Sequence, residues 1–184
     1  MNLESEQLGP GNRIHFCMTS VREFIIIYGG YDCDAGTECN ELWRYNTING
    51  LWKRYETPIE IKDTCLSCSI CPVGNLVYIF GGSCFCNEYR QTNSIVSFDI
   101  DNASWETVFP HTYERDLNTP PPMCGNLLIY HNGCLYIVGT LQVDQDIHNM
   151  YMFCLKTSAW SHVIQKSAKP IFEYQIIGTV YKNQ

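Results

Sequence analysis

Three of the four tryptophans in this chain recur at a nearly constant interval, and each stands seven residues after another aromatic residue. The pairs are Tyr45 and Trp52, Phe98 and Trp105, and Phe153 and Trp160. The steps between successive tryptophans are 53 and 55 residues. A repeat of this length that is rich in short strands is typical of a β-propeller, in which each repeat forms one blade. We therefore predict an all-β fold that is built blade by blade.

Each aromatic pair follows a short apolar run that ends in glycine, at residues 24–30, 76–82 and 135–139. A continuous apolar run bounded by turn residues fits a strand that is buried on both faces. In a propeller, such a strand lies between neighbouring blades. The closing glycines suit a close approach of backbone and dihedral angles that a side chain would disfavour.

The rest of each repeat supplies the other strands of a four-stranded blade. β-Branched and aromatic residues predict a third strand at 41–45, 94–98 and 150–153. Turn-forming residues follow at 46–50, 99–103 and 154–158, so the tryptophan begins the fourth strand of a hairpin. The remaining strand is predicted at 13–20, 64–71 and 123–131, where small residues suit crowding near a central channel.

These boundaries divide the chain into a flexible N-terminal segment, residues 1–12, and a partial propeller, residues 13–184. We predict blades at about 13–57, 64–109 and 122–165, with the first strand of a fourth blade at 172–184. A chain that stops inside a blade leaves an unpaired sheet edge, and closed propellers have about 4–8 blades. We therefore expect a truncated gene model or a proteolytic or splice fragment, with a half-ring that needs a partner as the alternative.

Composition excludes several classes of partner. The net charge of −7 and the lack of a basic run argue against nucleic acid and anionic membranes as partners.

The polar N-terminus lacks the features of a signal peptide, and no apolar run reaches the roughly 18 residues of a membrane span. Eleven cysteines, an odd number without an export signal, favour reduced thiols. We predict a cytoplasmic or nuclear protein.

The glycine pair after an apolar strand, followed by an aromatic residue and a tryptophan seven residues later, resembles the kelch repeat. The resemblance covers about residues 13–183, and it is weaker in the third repeat because Thr140 follows Gly139. Residues 41–45, Tyr31 and residues 132–137 resemble Kelch domain-containing protein 10 and its relatives, a subgroup similar to substrate receptors of cullin-2 ubiquitin ligases. Those receptors read the free C-terminus of their targets.

The resemblance implies a kelch-type protein-interaction module, namely the substrate-recognition part of a ubiquitin ligase receptor. Its expected partners are protein or peptide ligands, with cullin-2 ligase components recruited through a helical segment that this sequence lacks. A kelch scaffold for cytoskeletal or signalling proteins is the first alternative. The second is a remnant of a copper radical oxidase, since that enzyme family resembles kelch propellers.

Catalytic and metal-binding patterns are weak. Zinc needs four converging ligands, whereas Cys65, Cys68 and Cys71 lie on a predicted strand, where residues three apart point to opposite faces. The five histidines are scattered, and none occupies a nucleophile or metal-helix motif. We predict no enzyme activity, no catalytic residue, no metal site and no cofactor.

The binding residues are expected on loops that gather at one face of the propeller, at 31–40, 83–92, 141–148 and 109–122. A carboxylate-reading role also needs a basic side chain, and the predicted inner strands offer only Arg13 and His15. The peptide-facing candidates are Arg13, His15, Tyr31, Ser83, Tyr113, Arg115 and Tyr174.

Overall fold

The computed structural model describes residues 9–85, 90–114, 116–139 and 149–166. Within these ranges the chain consists of short antiparallel strands and one short 3-10 helix. The predicted all-β, bladed architecture is confirmed. The strand predicted to open a fourth blade, at 172–184, lies outside the described residues. Across the part of the chain that is described, no helix is long and apolar enough to cross a membrane.

The first repeat forms a four-stranded blade, in the order β2-β3-β6-β7, with a small sheet beside it, in the order β1-β4-β5. Tyr45 pairs directly with Trp52 across the β6–β7 hairpin, and their ring centroids are 4.8 Å apart. In chain order the strands are β1 (Arg13–Ile14), β2 (Cys17–Val21), β3 (Phe24–Tyr28), β4 (Tyr31–Asp32), β5 (Thr37–Glu38), β6 (Glu41–Asn46) and β7 (Trp52–Glu56).

The second repeat begins with the 3-10 helix (Ile59–Thr64) and forms a blade in the order β13-β12-β9-β8, with a small hairpin, β10-β11, beside it. Phe98 pairs directly with Trp105, as the seven-residue spacing predicts. The strands are β8 (Ser69–Val73), β9 (Leu76–Phe80), β10 (Ser83–Cys84), β11 (Arg90–Gln91), β12 (Ile95–Asp99) and β13 (Ser104–Phe109).

The third repeat forms a blade in the order β14-β15-β16-β17. Phe153 pairs directly with Trp160, with ring centroids 4.9 Å apart. The same aromatic pair therefore closes the outer hairpin of each blade. The strands are β14 (Leu127–His131), β15 (Cys134–Val138), β16 (Met150–Cys154) and β17 (Ala159–Val163).

The blades stack face to face, and the central strand of the second blade contributes to two separate cores. Val77 and Ile79 belong to the core shared with the first blade, while Tyr78 and Phe80 belong to the core shared with the third. Because alternate side chains of a strand point to opposite faces, a strand between two blades must be apolar at every position. This alternation explains the continuous apolar run in the sequence.

The first glycine of each Gly-Gly pair holds its blade against the segment that leads into the next blade. Gly29 and Gly81 have positive φ angles, 69° and 66°. A Cβ on Gly29 would lie 2.0 Å from the carbonyl oxygen of Cys65, and one on Gly81 would lie 2.5 Å from that of Met123. A side chain at either position would therefore push the blades apart.

The innermost strands are shorter than the sequence predicts. They begin at Cys17, Ser69 and Leu127 rather than at 13, 64 and 123. Two residues before each start lies a residue with positive φ: His15 at 57°, Ser67 at 50° and Gly125 at 69°. This left-handed conformation interrupts an extended strand. The N–H of Ser67 donates to His15 O and that of Gly125 to Ser67 O, both at 2.8 Å, so the interruptions also link successive blades.

Candidate functional site

An open groove of about 710 Å³ lies beside the small sheet of the first repeat. Strands β1, β4 and β5 form most of its wall, and the residue after β10 of the second repeat completes it. The groove therefore lies where the loops between the second and third strands of two blades meet, which is one of the predicted positions. Its lining residues are Ile14, His15, Tyr31, Gly36, Thr37, Glu38, Asn40 and Phe85.

The groove presents apolar surface to solvent. The side chains of Ile14 and Phe85 are 48% and 59% exposed. Tyr31 is half-buried and packs against a small core of Cys65, Leu66 and Cys84, which holds its ring in place. Rigid aromatic side chains bind peptides with little loss of conformational entropy. The groove therefore offers fixed contact surface to an apolar side chain of a ligand.

Polar groups border this apolar surface. His15 is exposed, and its Nδ1 lies 3.1 Å from the hydroxyl of Ser67, which fixes the ring. The carboxylate of Glu38 accepts a hydrogen bond from the backbone N–H of Phe85, so it ties the two loops together. Asn40 Oδ1 is buried and finds no hydrogen-bond partner within the described part of the chain. A buried acceptor of this kind favours a ligand that brings an N–H.

The matching asparagine of the second blade shows what such a side chain otherwise does. Asn40 and Asn93 each precede the residue whose carbonyl accepts from the first glycine of the pair. Asn93 Nδ2 donates to the carbonyls of Thr112 and Pro120, at 3.2 and 2.9 Å, and thereby fastens the loop between the second and third blades. In the first blade, Asn40 lines the groove instead, and its amide oxygen has no hydrogen-bond partner among the described residues.

Arg13, the basic residue predicted to bind a ligand carboxylate, instead forms hydrogen bonds within the protein. Its side chain is 5% exposed. One guanidinium nitrogen donates to Gly29 O and another to Glu41 Oε1, both at 3.1 Å. The prediction that Arg13 lies on an innermost strand is wrong, because it lies on β1, and His15 lies in the interruption between β1 and β2. The charge of Arg13 is thus balanced by Glu41 rather than offered to a ligand.

The structure brings two of the predicted site residues, His15 and Tyr31, together in the groove. Ser83 is buried; its backbone N–H donates to Leu66 O at 2.8 Å and its carbonyl accepts from the N–H of Leu66 at 3.0 Å, while its other side pairs with Gln91. Tyr113 is 81% exposed, packs edge-on to His111 with centroids 4.4 Å apart and is not among the groove-lining residues. Arg115 and Tyr174 lie outside the described residues.

Six groove residues were not among the named candidates, although all but Ile14 lie within the predicted binding loops 31–40 and 83–92: Ile14, Gly36, Thr37, Glu38, Asn40 and Phe85. Alignment of the repeats pairs Asn40 with Asn93, and this signal could have directed attention to it. Nothing in the local sequence marks Phe85, because its role depends on the first blade meeting the loop of the second.

A second concavity, of about 600 Å³, lies on the inner side of the blades. It is open, and the innermost strands of all three blades contribute to it. Burial raises the pKa of one lining thiol, that of Cys71, to about 11. The lining residues are Met18, Thr19, Ser20, Ile25, Ile70, Cys71, Pro72, Leu128, Ile129 and Tyr130, so the surface is largely apolar and carries no charged group.

The three cysteines considered for zinc are not on one strand. Cys65 follows the 3-10 helix, Cys68 precedes β8 and Cys71 lies within it, which corrects the prediction of a single strand. Cys68 Sγ lies 2.9 Å from Cys17 Sγ of the first blade. Burial, reinforced by this contact, raises the pKa of Cys68 well above its ordinary value. Among the described residues, no three His, Cys, Asp or Glu side chains are grouped to hold a metal ion.

Comparison with known proteins identifies the family to which this fold belongs. The family model described as the KLHDC2/KLHL20/DRC7 Kelch-repeats domain matches residues 1–184. Tip elongation aberrant protein 3 of Schizosaccharomyces pombe is 23% identical over 183 residues, which cover 82% of this chain and 16% of that protein. Host cell factor 2 of Homo sapiens is 27% identical over 133 residues, which cover 71% of this chain and 16% of the relative.

Kelch domain-containing protein 2 of Mus musculus is 24% identical over 207 residues, which cover 92% of this chain and 48% of the relative. The chain thus spans less than half the length of each of these curated relatives. Kelch-repeat domains generally serve as protein-binding scaffolds rather than as enzymes. The bladed sheets, the aromatic pairs and the match over the full sequence together show that this chain belongs to the KLHDC2/KLHL20/DRC7 kelch-repeat family and is a protein-interaction module.

Proposed function

We propose that the chain is a substrate-recognition part of a ubiquitin ligase receptor, acting in the cytoplasm or nucleus, and that it holds an extended peptide in the groove between Tyr31 and Phe85. The observation that carries the peptide-binding part is the buried amide oxygen of Asn40, which has no partner among the described residues and lies beside exposed apolar surface. A peptide satisfies both features at once, because its backbone N–H pairs with Asn40 while an apolar side chain covers Phe85. The resemblance to cullin-2 substrate receptors supports the ligase part.

Charge around the groove favours a neutral or basic peptide segment. Glu38 is the carboxylate among the lining residues, while the cation of Arg13 is paired with Glu41. A free C-terminal carboxylate would therefore meet negative charge here. We propose that the ligand is an internal segment or a capped end rather than a free C-terminus.

Synthetic peptide arrays test the peptide-binding part. An array of random ten-residue peptides, each made with a free and an amidated C-terminus, is incubated with the purified chain, and hits are measured by fluorescence anisotropy. We expect Phe85→Ala to weaken the hits by about 10-fold or more, as the loss of a central aromatic anchor does. The matched control is Tyr113→Ala, which removes an exposed aromatic residue outside the groove and leaves binding unchanged. Equal weakening by both variants, or by neither, would refute the groove as the site.

The alternative function is a kelch scaffold for cytoskeletal or signalling proteins. The name of the fission-yeast relative, Tip elongation aberrant protein 3, refers to tip elongation and so favours this alternative. A fluorescent reporter fused to an array-derived peptide separates the two functions when it is expressed in the protein's own cells, with and without disruption of its gene. Loss of the reporter that stops when cullin neddylation is inhibited supports the receptor. A reporter that binds the chain but is equally stable with and without the inhibitor supports the scaffold.

A further inference from the structure

The hairpin turn between the third and fourth strands has the same hydrogen-bonded cap in the first two blades. Asn46 Oδ1 accepts from the backbone N–H groups of residues 48 and 49, at 2.9 and 3.3 Å. Asp99 Oδ1 accepts from those of residues 101 and 102, at 2.9 and 3.0 Å. The side chain that ends the third strand thus collects two N–H groups, which is the geometry of an Asx turn.

In the third blade a cysteine occupies this position. Cys154 ends β16 as Asn46 ends β6 and Asp99 ends β12. The turn has the same shape in all three blades, since the residue four positions later has positive φ in each case: Gly50 at 74°, Ala103 at 53° and Ser158 at 51°. The third blade therefore places a thiol where the second blade holds a carboxylate.

Hydrogen bonds from the turn residues lower the pKa of the Cys154 thiol, as hydrogen bonds from the equivalent turn lower the pKa of Asp99. The hydroxyl of Thr157, followed by the backbone N–H groups of Thr157 and Lys156, hydrogen-bonds the sulfur and lowers the pKa of Cys154 to about 7. Donors that stabilise the charged form of a thiol increase the fraction of thiolate, which is the reactive form. Cys154 is partly exposed, so a small oxidant can reach it.

A second thiol lies directly across the sheet. Cys134, the first residue of β15, pairs with Cys154 in the β15–β16 register. Directly paired residues of antiparallel strands have Cα atoms about 4.5–5.5 Å apart, inside the roughly 4.4–6.8 Å range that disulfides span. Both thiols are free. On its other side, Cys134 pairs with His131 of β14, so the groups that border the two thiols are His131, Lys156 and Thr157.

The two thiols differ in protonation. Burial, followed by the charge of Cys154 and a hydrogen bond to it, raises the pKa of Cys134. Cys134 thus remains a thiol that donates to the sulfur of Cys154. The buried pair of Cys17 and Cys68 provides a contrast, because burial raises the pKa of Cys68 and disfavours a thiolate there.

We propose that Cys154 and Cys134 form a peroxide-sensitive site that closes into a reversible disulfide between the second and third strands of the third blade. The Cys154 thiolate attacks one oxygen of hydrogen peroxide, the O–O bond breaks and hydroxide leaves, so that Cys154 becomes a sulfenic acid. The sulfur of Cys134 then attacks the Cys154 sulfur, an S–S bond forms, the S–O bond breaks and water leaves. The two cysteines lose two electrons in total, hydrogen peroxide is reduced to water, and a dithiol reductant such as thioredoxin restores both thiols.

The first test treats the full chain with stoichiometric hydrogen peroxide, blocks the remaining thiols with iodoacetamide and identifies linked peptides by mass spectrometry. We expect a peptide pair joined through Cys134 and Cys154 that disappears on reduction. Cys154→Asp keeps the turn cap of the second blade and should abolish the link without unfolding the blade. Cys134→Ser should leave Cys154 as a trappable sulfenic acid. Free Cys134 and Cys154 after treatment that oxidises the exposed Cys33 would overturn the proposal.

The second test measures the rate at which Cys154 is alkylated as pH rises. We expect half of the maximal rate near pH 7, and a Thr157→Val variant should move this midpoint to higher pH because it removes a donor to the thiolate. A midpoint that Thr157→Val leaves unchanged would show that the turn does not activate Cys154 and would overturn the proposal. The site lies apart from the groove, so the result is independent of peptide binding.

Discussion

Two equivalent blade faces carry the same residue pattern but are buried to different extents. One is the face of the second blade that packs against the first blade, and the other is the matching face of the first blade. Phe98 and Ile79 of the second blade are fully buried, and Phe98 packs on Tyr55 of the first blade with centroids 5.0 Å apart. At the matching positions, Tyr45 and Ile27 are only half-buried. The neighbouring blade, rather than the repeat pattern, therefore decides how much of an apolar face is removed from water.

Alanine substitutions at the matched aromatic positions should show the largest difference. Phe98→Ala removes a fully buried ring between two blades and should lower the free energy of unfolding by about 3–5 kcal/mol. Tyr45→Ala should lower it by about 1–2 kcal/mol, because its ring is already partly in water. Urea unfolding followed by tryptophan fluorescence measures both values. Equal losses would show that another part of the protein or a partner buries the face of the first blade.

Alanine substitutions at two glycines with similar φ angles but different neighbours should give the next largest difference in the free energy of unfolding. Gly133 has φ 78°, and a Cβ there would meet no atom within 4 Å, so Gly133→Ala should cost about 1–2 kcal/mol for the left-handed backbone alone. Gly81→Ala adds a collision with the carbonyl of Met123 in the next blade and should cost roughly twice as much. The same urea measurement compares the two variants. A cost at Gly81 no greater than at Gly133 would mean that the blades do not dock at this contact.

The turn caps of the first and second blades should differ in their response to pH, which is the smallest of these effects. Hydrogen bonds from the backbone and the side chain of Asn102 lower the pKa of Asp99 below its ordinary value. A carboxyl with a lowered folded-state pKa contributes stability above its unfolded pKa and loses that contribution as pH falls through the folded value. The first blade has Asn46 at this position, and an amide does not titrate in this range.

Asp99→Asn should therefore make the second blade resemble the first. We expect the variant to unfold at a urea concentration that changes less between pH 7 and about pH 3 than that of the natural chain. Asn46→Ala, which removes a cap without removing a charge, is the matched control and should shift stability equally at both pH values. An unchanged pH dependence in Asp99→Asn would assign the acid sensitivity to other carboxylates.

Several elements were predictable because their signals are local. The seven-residue spacing predicts the pairs of aromatic residue and tryptophan, and the turn residues between them predict the hairpins, both of which the register confirms. The innermost strands were predicted too long because the residues that interrupt them, such as His15 and Ser67, carry no local signal. In the third blade Gly125 does mark the interruption, and the predicted strand at 123–131 passed over this signal. The left-handed backbone at Ser67 is supported by its bond to a different blade.

The candidate site was less predictable than the fold. Tyr31 of a predicted loop and His15 of a predicted strand both line the groove, and their role in binding stays a prediction. The ion pair of Arg13 with Glu41 was not predictable from the sequence, because the two residues are 28 positions apart and lie on different sheets. The exposed Phe85 belongs to the groove only because the second blade brings it beside the small sheet of the first.

The amino-acid sequence alone determined the number of described blades, the order of strands within each and the pairing across each outer hairpin. These features follow from side-chain period and turn chemistry, which act between residues close together along the chain. Tertiary structure decided which faces are buried and which charges are paired. Those outcomes depend on distances between segments that are far apart in sequence, and only the packing of whole blades sets such distances.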